Sequence, residues 1–345
     1  KLGQLSHQKS GQNPFILIDW VLILHLAMQD NTNRLPILLA CTLPYTTYQP
    51  FVRDGGPTAD EMFCGRTKEL NTIMDRNGAS VVYGGRQLGK TALLERAESR
   101  CHRPENKEFA VFCSIINKKT EKEVAEHILD AINKKTSFGL KPASTLKDMC
   151  SQIESLFRNG KVASFLLLLD ECDDFLGAIA DNSYQQIQEM INLKRSTKNA
   201  FKFVLAGLHN VCRAKNSTER NGVFGQLGEP LCVRPLQPSE ALQLLSRPLC
   251  YQGFQIDPYP HLKTILTKTN YYPGILQFFG YKLLETLTDQ YSKYYSAANG
   301  NPPFTLKDEQ LGAVLSSADL NNSIKAKELK KQIREINKNQ KRSDK

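Results

Sequence analysis

Gly84-Gly85-Arg86-Gln87-Leu88-Gly89-Lys90-Thr91 combines the residue types needed to hold a chain of phosphates, at the spacing G-x-x-x-x-G-K-T. The glycines let the backbone curl until successive N–H groups face an anion, and a helix starting at the end of the loop adds the positive end of its dipole. Lys90 has the reach for the outer phosphates, and the Thr91 hydroxyl is a ligand for Mg²⁺. Arg86, Gln87 and Leu88 fill the turn between the glycines, and Ala92 carries it into the helix. The stretch from Gly84 to Ala92 is therefore the candidate cradle of a nucleoside triphosphate.

Hydrolysis needs carboxylates beside those phosphates. Leu166-Leu167-Leu168-Leu169 runs into Asp170 and Glu171, a fully apolar segment ending in two acids. Asp170 is expected to hold the water shell of Mg²⁺ opposite Thr91, and Glu171 to orient and deprotonate the attacking water. Asp173 and Asp174, just beyond, read as outer or solvated carboxylates. A further apolar run, Phe201 to Gly207, leads to His209 and Asn210, either of which could sense the γ-phosphate from a place between it and the carboxylates. Arg213 and Arg220 follow. Either guanidinium could stabilise charge on a phosphoryl group held by an adjacent subunit.

These residues need strands and helices to hold them. Ala79–Tyr83, Phe109–Ile115, Phe165–Leu169 and Phe201–Gly207 are continuous apolar runs with strand character, the mark of parallel strands buried on both faces. Helical spacing or capping predicts helices at about 90–101, 121–134, 145–158 and 183–193 between them. That alternation predicts an α/β fold with a parallel-sheet P-loop NTPase core. After Pro230 the strand signal fades. Helices are expected from a Ser239 cap, at 261–269, 273–287, 305–316 and 324–337, giving a small, mostly α second unit. The expected organisation is a helical connector segment over 1–60, the α/β core over 61–235, a helical lid over 236–295 and a basic helical tail over 296–345.

The flanks are less explicit. Residues 13–40 hold two apolar runs that predict a helix, a turn and a short helix, with Pro36 at a boundary; residues 44–60 read as an extended connector. Phe15–Met28 is too short to cross a bilayer and is broken by Asp19 and His25, so a buried or docking helix is expected and no membrane association. The nine cysteines are scattered without metal-ligand spacing, as for reduced thiols in a cytoplasmic protein. The chain starts at Lys1 rather than Met, as expected of a fragment with further flanking domains or of a processed chain. Its net charge of +10 is concentrated in residues 321–345, where nine Lys and Arg face three acids. Such a tail is either a solvated helix or a surface for nucleic acid.

Four segments together resemble the AAA+/STAND superfamily of P-loop ATPases, in the branch near the origin-initiator and signalling STAND ATPases. They are Met62-Phe63-Cys64-Gly65-Arg66-Thr67-Lys68-Glu69-Leu70, the phosphate loop, the Leu166–Glu171 run, and Asn270-Tyr271-Tyr272-Pro273-Gly274. The resemblance covers roughly residues 60–290. It implies that Phe63, Gly65 and Arg66 lie near the adenine of ATP or ADP, with Pro273 leaning on the base from an α-helical lid. Tyr271 stands where that family often has glycine. By resemblance the expected activity is that of a Mg²⁺-dependent ATPase which forms homo-oligomers on binding ATP. It would act as a regulatory or signalling switch in a larger bacterial protein, in defence or transcription. The alternatives are a DNA-associated initiator or transposition-helper ATPase, and a nucleotide-gated scaffold with negligible hydrolysis.

Overall fold

The computed structural model describes residues 16–43, 48–53, 58–180, 184–208, 211, 222–256, 260–288, 303–306, 311–312 and 314. From the N-terminus come α1 (Trp20–Ala27), α2 (Asn31–Thr42), a 3₁₀ turn at Asp60–Met62, α3 (Thr67–Met74), β1 (Val81–Tyr83), α4 (Lys90–Cys101) and β2 (Glu108–Ser114). Next are α5 (Glu121–Lys135), α6 (Leu146–Arg158), β3 (Ser164–Asp170), α7 (Asp173–Ala178), α8 (Gln185–Ser196), β4 (Phe201–Gly207) and β5 (Leu231–Cys232). The last are α9 (Pro238–Tyr251), β6 (Phe254–Ile256), α10 (Pro260–Thr269), α11 (Pro273–Thr288) and β7 (Phe304–Leu306). The chain divides into two compact units, one of residues Arg66–Arg234 and one joining Lys1–Gly65 to Pro235–Lys345.

The Arg66–Arg234 unit is built on a parallel five-stranded sheet in the order β2-β3-β4-β1-β5, with flanking helices. This is the parallel-sheet α/β architecture expected of a P-loop NTPase core. All seven residues of β4 are buried, as are the last six of β3, which is why both read as apolar runs, broken in β4 only by Lys202. Side chains alternate across the sheet: Phe165, Leu167 and Leu169 share a core with Ile128 of α5, Ile153 of α6 and Ile187 of α8. Leu166 and Leu168, on the alternate face, are buried as well. Local signals fix the helix starts. Thr120 and Glu123 form a reciprocal capping box for α5, and Thr145 accepts from the Asp148 N–H at the start of α6.

The other unit has its own apolar core, formed by Leu244 and Leu249 of α9, Phe254 of β6, Ile265 of α10, Phe279 and Leu283 of α11 and Phe304 of β7.

Several local expectations are corrected. Leu231–Cys232 forms a fifth strand on the edge beside β1, too short and too half-buried to show as an apolar run. The second unit contains a two-stranded parallel sheet, β6–β7, so residues 304–306 are strand and not the start of a helix. Each of these strands has only three residues in a buried–exposed–buried pattern. Helix α9 begins at Pro238 with Gln237 and Glu240 as its capping box, rather than at a Ser239 cap. Pro36 lies inside α2, which is longer than α1. Helix α1 is not buried: Trp20, Val21 and Leu24 are exposed. Among the described residues no helix is long and apolar enough to cross a membrane. The helix expected at 324–337 lies outside the described residues.

Candidate active site

Because all five strands are parallel, β1, β3 and β4 end on one edge of the sheet, the edge where open α/β sheets bind ligands. The strand order puts β4 between β1, which feeds the glycine loop, and β3, which carries the acids.

The loop leaves β1 at Tyr83 and is forced into a tight curl. Gln87 and Gly89 take left-handed backbone conformations, with φ of 62° and 82°. A Cβ on Gly84 would stand 2.6 Å from the Val233 carbonyl oxygen, so only glycine fits there. Lys90, the first residue of α4, is buried, and its Nζ donates to the carbonyls of Gly84 and Gly85, each at 3.1 Å. The ammonium is thus folded across the loop, with two of its three N–H groups taken. Burial pushes the Lys90 pKa down; Asp170, Glu171 and Asp173 pull it back up.

Thr91 Oγ1 donates to Asp170 Oδ2 at 2.6 Å, joining the start of α4 to the end of β3. The other oxygen of Asp170 accepts from the Glu171 N–H at 2.9 Å. A hydroxyl and a carboxylate are hard oxygen donors that suit Mg²⁺. Among the described residues no group of three or more His, Cys, Asp or Glu could hold a metal ion by itself.

Glu171 adopts φ of 55°, a left-handed backbone that is strained for a residue with a side chain. Burial raises its pKa, Asp170 raises it further, and Lys90 partly offsets both. Asp173 stands at the head of α7. Its Oδ2 accepts from the Leu208 N–H at 2.6 Å, and its Oδ1 is buried without a hydrogen-bond partner among the described residues. A Cβ on Gly207 would meet Val211 Cγ2 and approach that Oδ2 to 2.5 Å, so the Asp173 carboxylate could stay in place only beside a glycine. No local sequence signal announces this tie, because its two ends are 35 residues apart.

The structure thus brings Lys90, Thr91, Asp170 and Glu171 together. Arg86, Gln87, Leu88 and Ala92 lie in the loop or the first turn of α4. His209, Asn210, Arg213 and Arg220 lie outside the described residues. Phe63 and Gly65 fall in the unit containing residues 1–65, and Pro273 begins α11 of that unit. Tyr271 has φ of 58°, the left-handed conformation that glycine adopts without strain. Arg66 is buried and bonds to protein: Nη1 to Glu69 Oε1 at 3.1 Å, and Nη2 to the carbonyls of Leu88 and Arg234.

Residues 73–213 match a family described as AAA domain. Among solved structures, the Aeropyrum pernix ORC2 protein in ADPNP-ADP complexes is 16% identical, covers 78% of this chain and 71% of its own, and has a TM-score of 0.52. At that identity the likeness is one of fold. The Aeropyrum pernix ORC1 protein in complex with DNA is 15% identical over 74% of this chain and 65% of its own, TM-score 0.44. Drosophila ORC bound to DNA is 17% identical over 64% and 60%, TM-score 0.43. The chain therefore spans less than two thirds of the length of these last two. No curated protein sequence matches it.

Proposed function

We propose, from the premise that this chain carries an AAA domain on a P-loop NTPase fold, that it binds and hydrolyses ATP as a regulatory switch. The observation that carries the reading is the contact of Thr91 with Asp170, made beside a lysine held on the loop's own carbonyls. The loop amides and Lys90 bind the phosphates, and Thr91 and Asp170 would hold Mg²⁺, which when bound neutralises charge on the transferring phosphoryl group. Glu171 holds a water in line with the γ-phosphorus and accepts its proton. As the water oxygen bonds to phosphorus, the bond to the bridging oxygen breaks and ADP leaves. The burial that raises the Glu171 pKa makes it a stronger base than an ordinary carboxylate.

Assembly into homo-oligomers on ATP binding belongs to this reading, with Arg213 or Arg220 reaching a neighbour's phosphates. The test is turnover by the wild type and Glu171→Gln, each sized with and without ATP and Mg²⁺. Turnover lost in the variant together with ATP-dependent assembly supports a hydrolysing switch. Equal turnover in both removes Glu171 as the base. Tight nucleotide retention with no turnover in either leaves a nucleotide-gated scaffold.

A second reading, a DNA-associated ATPase, is favoured by the concentration of positive charge in residues 321–345.

A further inference from the structure

Arg66 has more contacts than a residue that merely faces a base would need. It is the N-cap of α3, in a left-handed backbone conformation with φ of 63° and ψ of 17°. Such a conformation persists in a residue with a side chain only where the surroundings hold it. Here the guanidinium is held by three groups of its own unit: Glu69 Oε1, the Leu88 carbonyl at 3.2 Å and the Arg234 carbonyl.

Two of those partners matter for their place in the chain. Leu88 lies in the phosphate loop between the two left-handed residues Gln87 and Gly89. Its carbonyl and the Gly89 N–H belong to the same planar peptide, and in a trans peptide they point in opposite directions. A cation fixed on that carbonyl therefore fixes the direction of the Gly89 N–H. It also polarises the peptide, which makes that N–H a better donor to an anion. Arg234 is the last residue of the unit and Arg66 the first, so the chain passes to the other unit at both positions. Nη2 of the guanidinium thus ties a phosphate-loop peptide to the Arg234 crossing, while Nη1 is anchored on Glu69. A lysine is shorter and has one nitrogen, so it cannot keep the Nη1 hold on Glu69 and also reach the two carbonyls from the place where Nη2 stands.

We infer that Arg66 is a positioning residue that pre-orients the Leu88–Gly89 peptide for phosphate and couples that peptide to the Arg234 exit, rather than a contact to the adenine. The inference deepens the nucleotide-binding reading and rests on it. By reciprocity, a ligand that fixes the Gly89 N–H also steadies the Arg66 hold on Arg234.

The experiment compares wild type with Arg66→Lys and Arg66→Ala in two measurements. The first is affinity for ADP and for inorganic pyrophosphate, which has no base. A positioning role predicts that both ligands weaken by a similar factor, about tenfold or more. Loss of ADP affinity with pyrophosphate affinity unchanged would overturn the inference and restore the adenine contact. The second is hydrogen exchange in the ligand-free protein, where the variants should exchange faster in residues 86–90 and 231–236 together. Faster exchange in only one segment, or in neither, would overturn the coupling. This measurement needs no nucleotide, so it stands if the wild type fails to bind ADP, which would sink the proposed function instead. Arg66→Lys keeps the charge and most of the packing, and so gives the answer if Arg66→Ala does not fold.

Discussion

Lys90 and Glu171 have pKa values moved in opposite directions by the same burial, and each movement has a measurable consequence. Phosphate binding needs the ammonium form of Lys90, and burial lowers its pKa from the ordinary 10.5. As pH rises through the alkaline range, ADP affinity should therefore fall earlier than an ordinary lysine would allow. Lys90→Ala should lose at least about a hundredfold in affinity and flatten that decline, measured by calorimetry across pH 7 to 10. Affinity that holds constant to pH 10 would count against Lys90 as the phosphate ligand. Glu171 must be deprotonated to accept a proton, and its pKa is raised above the ordinary 4.5. The acid limb of kcat should accordingly lie above that value, with activity lost as pH falls through it. Glu171→Gln should cut kcat by about 10²–10⁴ while ADP affinity stays near that of the wild type. A limb at or below the ordinary carboxylate value would remove Glu171 as the base.

At the scale of elements, α3 is gripped at both ends by buried cations. Arg66 sits at its start, and at its end Lys202 of β4 donates to the carbonyls of Thr72, Ile73 and Asp75. Those carbonyls have few partners within the helix, and a positive charge there also complements the helix dipole. Burial, with Lys194 adding to it, lowers the Lys202 pKa to about 8. The unfolded chain then binds this proton more tightly than the folded one does. Stability should thus rise with pH between about 8 and the ordinary 10.5, by at most about 1.4 kcal/mol per unit of separation. Below that window the full cost of burying the charge is present. Denaturant titrations at pH 7.5 and 9.5 should show the rise in wild type and not in Lys202→Met; the same rise in both would clear Lys202 of responsibility.

A second element-scale test concerns the joint between β3 and β4. Gly207→Ala should displace Asp173 from the Leu208 N–H and lower turnover more than ADP affinity, since the phosphate loop is untouched.

These ties also show what the sequence made legible. The glycine loop and the Leu166–Glu171 run are contiguous, so their chemistry and their burial are both written locally. Largely apolar runs, with Lys202 their one charged residue, revealed four strands because both faces of the sheet are covered. The fifth strand, Leu231–Cys232, is a half-buried edge of two residues, and β6 and β7 have three each, too short for any period to register. Asp173, Lys202 and Arg66 find partners 35, 127–130 and 22–168 residues away, separations that no spacing rule reaches.

For the whole molecule the deciding quantity is where the charge lies. Of the net +10, residues 321–345 supply nine basic against three acidic side chains, so the remaining chain is only mildly basic. A polyanion that binds through this tail would release counterions roughly in proportion to the phosphates neutralised, which makes binding steeply dependent on salt. The switch reading predicts no such dependence in nucleotide turnover; the DNA-associated reading predicts it in DNA binding. Duplex DNA affinity measured between about 50 and 200 mM salt, for the full chain and for a variant ending at residue 320, separates them. A steep slope in the full chain that collapses in the shortened one, with ATP turnover equal in both, would make the tail a nucleic-acid contact built onto an independent ATPase. No binding by the full chain at the low-salt end would remove DNA from the account. A slope that survives the deletion would place the contact within residues 1–320, whose net charge is small and whose affinity should then be correspondingly weak.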